Sequence, residues 1–497
     1  MRKGPTRRSG PPAPPYKAMI PNRILLPLIV ACALFMENLD ATVLATALPT
    51  IAAEFGESPI HLKLALTSYL LSLAVFIPAS SWVADRFGVR LVFRGALIVF
   101  TVSSIMCGLS NTVGELVIWR SLQGLGGAMM VPVGRMVILR SVKKSELVGA
   151  LAWLTIPALV GPVVGPVLGG FITTYFDWRW IFWINIPIGI LGVVLATIFF
   201  PDIRAVTRQK FDTIGFLLVA PGLATFVTGS TTLGLGVLPT PVVVVLLVVG
   251  TALLAAYVWH SRRTVQPILD LALLKLRTFR ASITGGFLFR VGVGATPFLL
   301  PLMLQLTFGM TPFESGLVTF VTAIGAIAMK FLAVPILRRF GFRRVLVTTA
   351  LIAASFTALP AAFTPEWPLV AMLVLLLVGG FFRSLQFTSL NSIAYDEVAQ
   401  DRISNATSMS AVTQQLSTSV GISIGAIVLS IASGGGEEIV RSDFILPFCV
   451  IGFIVALSAI VYWFLPPTAG AEMSGHKGAR GSADGEETRV GTGATAP

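Results

Sequence analysis

Long apolar runs separated by short polar connections set the pattern of the chain. The runs are about 18 to 25 residues long, enough for a helix to cross a hydrocarbon core of ~30 Å. The first extends from Ile24 to Ala53, followed by Leu62 to Ala84, Leu91 to Ser110, Leu116 to Leu139, Leu147 to Thr173 and Ile181 to Phe200. Two more, Ile214 to Leu233 and Val242 to Trp259, hold almost no polar side chain, as expected of helices facing lipid at a periphery. Six further runs lie near 281–303, 315–336, 345–363, 368–393, 403–432 and 443–465, giving about fourteen spans of bilayer length.

Composition agrees with this pattern. The 497 residues are 55% hydrophobic and 12% charged, with a mean hydropathy of +0.85, whereas soluble domains carry about 25% charged residues. The chain is therefore expected to be an all-α integral membrane protein. Residues 1–23, basic and rich in proline, read as a disordered cytoplasmic tail, and 24–200 as a six-helix bundle. Residues 201–280 read as a linker with the two inserted helices, 281–466 as a second six-helix bundle, and 467–497 as a disordered cytoplasmic tail. Within the linker, Arg262, Arg263, Lys275, Arg277 and Arg280 surround Ile268, Leu269, Leu271, Leu273 and Leu274. That mixture fits an amphipathic helix on an anionic leaflet and fits a solvated loop equally well.

The net charge of +13 does not point to nucleic acid, because most of the 36 Lys and Arg fall in alternate connections and the termini. Only Lys63, Arg179 and Arg441 fall in the opposite set of connections. This asymmetry places both termini in the cytoplasm. Cys32, Cys107 and Cys449 lie inside spans and suggest neither a disulfide nor a metal site. His61, His260 and His476 are scattered over connections and tail, which counts against an intramembrane enzyme.

A repeat underlies the spans. Gly56-Glu57-Ser58-Pro59 and Gly309-Met310-Thr311-Pro312 are 253 residues apart, as are Arg86-Phe87-Gly88-Val89-Arg90 and Arg339-Phe340-Gly341-Phe342-Arg343. Both pairs keep their membrane orientation, so the halves are expected to be parallel repeats about an axis along the membrane normal. The same offset carries Glu37 onto Arg290.

Glu37 and Asp40 are the only charges between Ile24 and Ala53. A charge at bilayer depth costs roughly 2.5–3.5 kcal/mol even on the lenient insertion scale, so both are candidate functional groups. Three residues apart on a helix, they share a face that one aqueous cavity could serve. Hydrogen bonding of neutral carboxyls to a neighbouring helix is the structural alternative. In the fourth span Arg120 lies too deep to snorkel and needs a carboxylate, a carbonyl or cavity water, with Gln123 one turn on. The connection Asp85 to Arg90, with Arg86, Gly88 and Arg90, can form a tight turn whose acid pairs with an arginine, and Arg339, Gly341 and Arg343 repeat it. The fifth span carries Gly161-Pro162 and Gly165-Pro166 followed by Gly169-Gly170, a pattern for a bent, closely packed helix on which two halves could rock.

These motifs resemble the major facilitator superfamily, and within it the fourteen-span drug:proton antiporter branch. The likeness rests on Leu39-Asp40-Ala41-Thr42, Ala47-Leu48-Pro49, the Asp85 to Arg90 loop, Arg120 with Gln123-Gly124, and Gly165-Pro166-x-x-Gly169-Gly170. It extends through Trp178-Arg179-Trp180-Ile181-Phe182 and Gly379 to Asn391, nearly the whole chain between the tails. The resemblance implies two six-helix bundles related by a pseudo-two-fold with two extra central helices. It also implies alternating access, proton coupling at Asp40 with Glu37 second, and export signalled by the fifth-span pattern. A monomer in the inner membrane, driven by the proton gradient without a cofactor, is expected to move small molecules.

Inside the second half the charges are cationic: Arg290, Lys330 and Arg383, with Gln386, Gln414 and Gln415 nearby in sequence. A substrate cavity formed by Arg120, Gln123, Arg290, Arg383, Gln386 and Gln414 would suit a neutral, zwitterionic or anionic compound, unless Glu37 alone recognises cations. A proton symporter importing an organic anion remains open beside the exporter, and an intramembrane enzyme on lipid-linked substrates is more remote.

Overall fold

A computed structural model describes residues 22–57, 59–203, 210–233, 238–434 and 439–476. Most of the first tail, the end of the second and part of the linker, all expected above, lie outside the described residues. Regular structure among the described residues is entirely helical.

The first half comprises α1 (Asn22–Phe55), α2 (Pro59–Phe76), α3 (Ser80–Phe87), α4 (Val89–Gly108), α5 (Val113–Ser141), α6 (Leu147–Tyr175), α7 (Trp180–Trp183) and α8 (Asn185–Phe199). A single 3-10 turn, Ile77–Ala79, joins α2 to α3, so the two cross as one span. Helices α9 (Thr213–Thr232) and α10 (Thr240–Ser261) follow. The second half comprises α11 (Arg277–Phe308), α12 (Pro312–Phe340), α13 (Phe342–Ala358), α14 (Leu369–Ile393), α15 (Ile403–Ala432) and α16 (Ile445–Trp463). A short α17 (Ala471–Ser474) closes the described chain. Thirteen helical segments among the described residues are long and apolar enough to span a bilayer. The 29-residue α6 has the length for one more.

The two halves repeat each other in packing and in backbone detail. Helix α1 packs on α6 as α11 packs on α15, α2 on α5 as α12 on α14, and α4 on α8 as α13 on α16. Between the halves α6 meets α12, and its repeat equivalent α15 meets α3. The glycines that the repeat aligns take up the same left-handed region: φ is 66° at Gly56 and 67° at Gly309, and 93° at Gly88 and 75° at Gly341. Gly88 N–H donates to the Ala84 carbonyl and Gly341 N–H to the Leu337 carbonyl, both at 2.9 Å. A side chain at these four positions would force a strained backbone, which explains why both copies use glycine.

The inserted pair is peripheral. Helix α10 packs on α9, and α9 lies against α2 and α15, where Ser423 Oγ donates to the Ser230 carbonyl at 2.7 Å. Exposed valines at 242, 244, 245, 248 and 249 cover the outer face of α10, as a lipid-facing helix requires.

Two expectations are corrected here. The segment 260–280 forms no amphipathic surface helix. It is a strap ending in a 3-10 turn (Leu271–Lys275), with Ile268, Leu269 and Leu273 buried in the protein. Tyr257 holds it, its hydroxyl donating to the Leu269 carbonyl at 2.8 Å and accepting from Leu269 N–H at 2.7 Å. The start of the second tail is docked as well: Gly470 N–H donates to Asp396, and Glu472 pairs with Lys144 at 2.7 Å. Lys144 Nζ, donating to Glu472, holds that carboxyl below its ordinary pKa.

Candidate functional site

Asp40 is the centre of a polar core that ties together five elements of the first half. Its Oδ2 receives Arg120 Nη1 of α5 at 2.5 Å, and both side chains are fully buried. Its Oδ1 receives Gln123 Nε2 at 3.0 Å and Asn185 Nδ2 of α8 at 3.1 Å. Asn185 also donates to Ser104 Oγ of α4 at 2.9 Å. Arg120 gives a second bond to Gln123 Oε1 at 2.7 Å, donates Nε to the Ala65 carbonyl of α2 at 3.4 Å, and lies over the Tyr69 ring at 4.4 Å. Arg120 Nη2 is left without a hydrogen-bond partner among the described residues, and removing either member of such a buried pair strands the other in low dielectric.

This geometry corrects two expectations. Asp40, Arg120 and Gln123 do not line a cavity, because they satisfy one another inside the first bundle at 0–1% exposure. Glu37 and Asp40 do not share one aqueous chamber, because Asp40 points into that polar core. The two acids also differ in their partners, since neutralising Asp40 would leave the Arg120 guanidinium uncompensated.

Glu37 is the freer acid. The residue is half-buried, and its Oε2 and the Tyr69 hydroxyl are buried without a hydrogen-bond partner among the described residues. Both meet α5 at Gly127, where a Cβ would come 3.3 Å from Tyr69 Oη and 3.7 Å from Glu37 Cγ. The glycine therefore lets α5 come close to Leu73, Tyr69 and Glu37, the first of which would lie 3.0 Å from a Cβ.

The glycines of α6 face the helix that carries the acids. A Cβ on Gly161 would sit 2.7 Å from Asn38 Cβ, and one on Gly165 2.0 Å from Thr42 Oγ1. Thr42 Oγ1 donates within its own helix to the Asn38 and Leu39 carbonyls, both at 3.1 Å, and reaches the Gly161 carbonyl at 3.5 Å. A Cβ on Gly170 would meet nothing within 4 Å, so that residue is not part of the close contact. Gly169 is buried, and its carbonyl accepts Thr173 Oγ1 at 2.8 Å. Helix α6 continues through positions 162 and 166, whose proline side chains lie outside the described residues.

At the basic end Asp85 forms a latch between the halves. Its Oδ1 receives both Nη1 and Nη2 of Arg140 at 3.2 Å, and its Oδ2 receives Ser404 Oγ of α15 at 2.5 Å. Ser80 and Ser408 hydroxyls meet across the same seam at 2.9 Å, and Lys144 Nζ reaches Asp396 at 3.4 Å. The partner is Arg140 of α5 and not an arginine of the loop: Arg86 is exposed, and Arg90 donates to the Thr197 carbonyl within the first half. In the second copy Arg338 stands where Asp85 stands in the first. Arg339 lies over Phe340 at 5.5 Å and Arg343 over Trp463 at 5.3 Å, so this copy has the turn but no acid latch. At the far end Arg179 pairs with Glu54 at 2.7 Å and Trp178 Nε1 donates to it at 2.6 Å. These bonds, Arg179's first, hold the Glu54 carboxyl below its ordinary pKa.

In the second half Arg290 Nη2 donates to Asn391 Oδ1 at 3.3 Å, and its guanidinium lies 5.6 Å from the centre of the Phe387 ring. It faces α14 and not Glu37, because α1 and α11 pack within their own halves. Lys330 Nζ donates to Thr388 Oγ1 at 2.7 Å, one turn from Asn391 on α14. Gln386 is fully buried and accepts from Thr349, while Arg383 and Gln414 are half-buried on α14 and α15. The cationic residues thus gather around α14, separate from the Asp40 core. Reading the sequence missed Asn185, the one amide in the run 181–200, and Tyr69. It also missed Arg135, which lies on α5 and is 5% exposed.

The sequence model of the Major Facilitator Superfamily matches residues 30–266 and 283–489. The chain belongs to this superfamily. It is 39% identical over 447 residues to the "Putative multidrug resistance protein MdtD" of Pectobacterium atrosepticum, covering 88% of this chain and 95% of that one. The proteins of the same name from Serratia proteamaculans and Yersinia pestis are each 38% identical, over 88% and 89% of this chain and 92% and 96% of theirs. Among solved structures the fold is similar to the human organic anion transporter MFSD10, with TM-score 0.63, 14% identity and coverage of 89% of this chain and 100% of that one. It is also similar to the proton:xylose symporter XylE, with TM-score 0.64, 17% identity and coverage of 91% and 98%. The protein is a multi-pass membrane transporter of small molecules and not an enzyme.

Proposed function

We propose that this transporter exports small amphipathic compounds in exchange for protons, as a multidrug efflux protein of the inner membrane with both termini in the cytoplasm. The observation that carries this reading is the pair of acids on α1 in unequal environments. Asp40 is locked to Arg120, whereas Glu37 keeps a carboxylate oxygen without a partner beside Tyr69 and Gly127. A group that cycles between protonated and charged states must not be committed to one permanent counter-ion. Glu37 meets that condition, and the Asp40–Arg120 pair fixes the helix from which it projects.

The Asp85 latch closes the basic, cytoplasmic end, and the α1–α6 contact at Gly161 and Gly165 supplies a close-packed seam that moves with the acids. Alternation then consists of breaking the latch contacts to Arg140 and Ser404 while the halves rock about the α6–α12 and α3–α15 contacts. The multidrug relatives favour export over the import of an organic anion. Vesicles with the basic face inside or outside, given a pH gradient of either sign, separate the two. An exporter accumulates dye against the direction of proton flow, and an importer accumulates it with that flow.

A further inference from the structure

The repeat places the same cleft in both halves, and an inserted segment packs into only one of them. In the first half Phe76, Val92 and Val99 line an apolar cleft between α2, α4 and α5. The 253-residue offset carries these three onto Met329, Val345 and Ile352, which line a cleft between α12, α13 and α14. Phe211 of the linker and Phe216 of α9 pack into the first cleft, with the Phe211 ring centre 4.8 Å from that of Trp82, and about 430 Å³ remains. No residue of α9 or α10 lines the second cleft, which holds about 900 Å³.

The second cleft has an apolar wall and a basic rim. Phe340, Ile352, Phe381 and Phe382 line it together with Arg343 and Arg344 from the first turn of α13, whose positive end adds to their charge. Arg343 is half-buried over the Trp463 ring and Arg344 is exposed. Neither guanidinium has an ion pair or hydrogen bond among the described residues, and no acid lines the cleft. Every lining residue belongs to the second half or the start of the tail, and Phe340, Thr348 and Trp463 are exposed, so the cleft opens outward and not into the seam between the halves.

A basic pocket between spans at the basic face of a membrane protein suits the headgroup of an anionic lipid, and the apolar slot beneath it suits an acyl chain. The tail beyond the cleft is not of the kind that fills it. Its described part reaches the rim at His476, and residues 477–497 contain one Val and no Leu, Ile, Met or aromatic residue.

We infer that this cleft binds an anionic phospholipid of the leaflet at the basic face, with Arg343 and Arg344 on its phosphate and one acyl chain along Phe340, Phe381 and Phe382. The inference does not depend on the direction of transport or on proton coupling. In the second half the lipid takes the place that Phe211 and Phe216 take in the first. It packs on α13 and α14 where Thr349, at the cleft wall, donates to Gln386.

The test is native mass spectrometry of the full-length protein in detergent, titrated with dioleoylphosphatidylglycerol or with the zwitterionic dioleoylphosphatidylcholine. The wild type is expected to bind its first phosphatidylglycerol about tenfold more tightly than phosphatidylcholine. Arg343→Gln and Arg344→Gln should each weaken phosphatidylglycerol binding by about fivefold, and together by about 25-fold, and narrow its preference over phosphatidylcholine. Thr348→Trp sets an indole in the cleft and should weaken both lipids. Phosphatidylglycerol should raise the melting temperature of the wild type more than that of the double arginine variant. Gel filtration checks the fold, and should Thr348→Trp aggregate, the arginine variants decide. Equal wild-type affinity for the two lipids, an unchanged preference in the double variant, or undiminished binding in a folded Thr348→Trp overturns the site. Displacement of phosphatidylglycerol by glycerol 1-phosphate at comparable concentration would mark a site for free phosphate and overturn the lipid.

Discussion

Replacing Asp40 by Asn tests whether the first half is built around one ion pair. Arg120 and Asp40 are both fully buried, and the Arg120 guanidinium has no other carboxylate among its contacts. Neutralising Asp40 alone leaves a charged guanidinium in the bundle core, a change that costs about 3–5 kcal/mol in comparable buried pairs. Arg120→Gln alone strands the carboxylate, although Gln123 and Asn185 still donate to it at 3.0 and 3.1 Å, so its cost falls at the lower end of that range. The double variant Asp40→Asn, Arg120→Gln removes both charges and keeps amides that can bond to each other and to Gln123. Its loss is expected to fall short of the sum of the two single losses by about 2–3 kcal/mol, the coupling energy of the pair. Unfolding free energies from SDS titration of the four proteins in mixed micelles give the cycle, with melting temperatures as a second readout. Additive losses in the double variant would refute the ion pair as the organising contact.

Other outcomes follow from the same structure. Gly165→Ala places a methyl 2.0 Å from Thr42 Oγ1 and should destabilise the α1–α6 seam by about 1–3 kcal/mol, with partial rescue by Thr42→Ala in thermal unfolding. Asp85→Asn releases Arg140 and weakens the bond to Ser404, so a cysteine placed at Ser408 should react faster with a cytoplasmic maleimide. Glu54 has a lowered folded-state pKa, so the stability from its bonds to Arg179 and Trp178 is present above its unfolded value of 4.5 and fades as pH falls through the folded value. Acid titration of the melting temperature should therefore be flatter below pH 4.5 in Glu54→Gln than in the wild type. Glu54 is substantially exposed, which keeps this difference small.

The fold was legible because its causes are local or periodic. Apolar length fixed the spans to within a few residues at most boundaries, and the 253-residue offset anticipated glycines that prove to share their positive φ values. Intramembrane charge marked Asp40 and Arg120 as needing partners. It did not reveal that they are partners of each other, since at a separation of 80 positions the sequence carries no trace of how α1 and α5 are oriented. Glu37 and Asp40 share a helix face, yet α5 passes close enough to take one inward and leave the other half-buried. The sequence left the segment 260–280 open between a surface helix and a solvated loop, and what makes it a buried strap, the two bonds between the Tyr257 hydroxyl and the Leu269 backbone, is a tertiary contact that its composition does not show. Arg135 was overlooked because its depth depends on how α15 of the other half packs on α5, a property of the assembled halves.

The central claim is that Glu37 is the titrating group and the Asp40–Arg120 pair its fixed support. The most direct measurement is dye movement in proteoliposomes in two modes, uphill transport driven by a pH gradient and exchange without one, for the wild type and Glu37→Gln. The account predicts that Glu37→Gln keeps exchange and loses gradient-driven accumulation, with no proton movement when dye is added. Full gradient-driven accumulation by Glu37→Gln would contradict it.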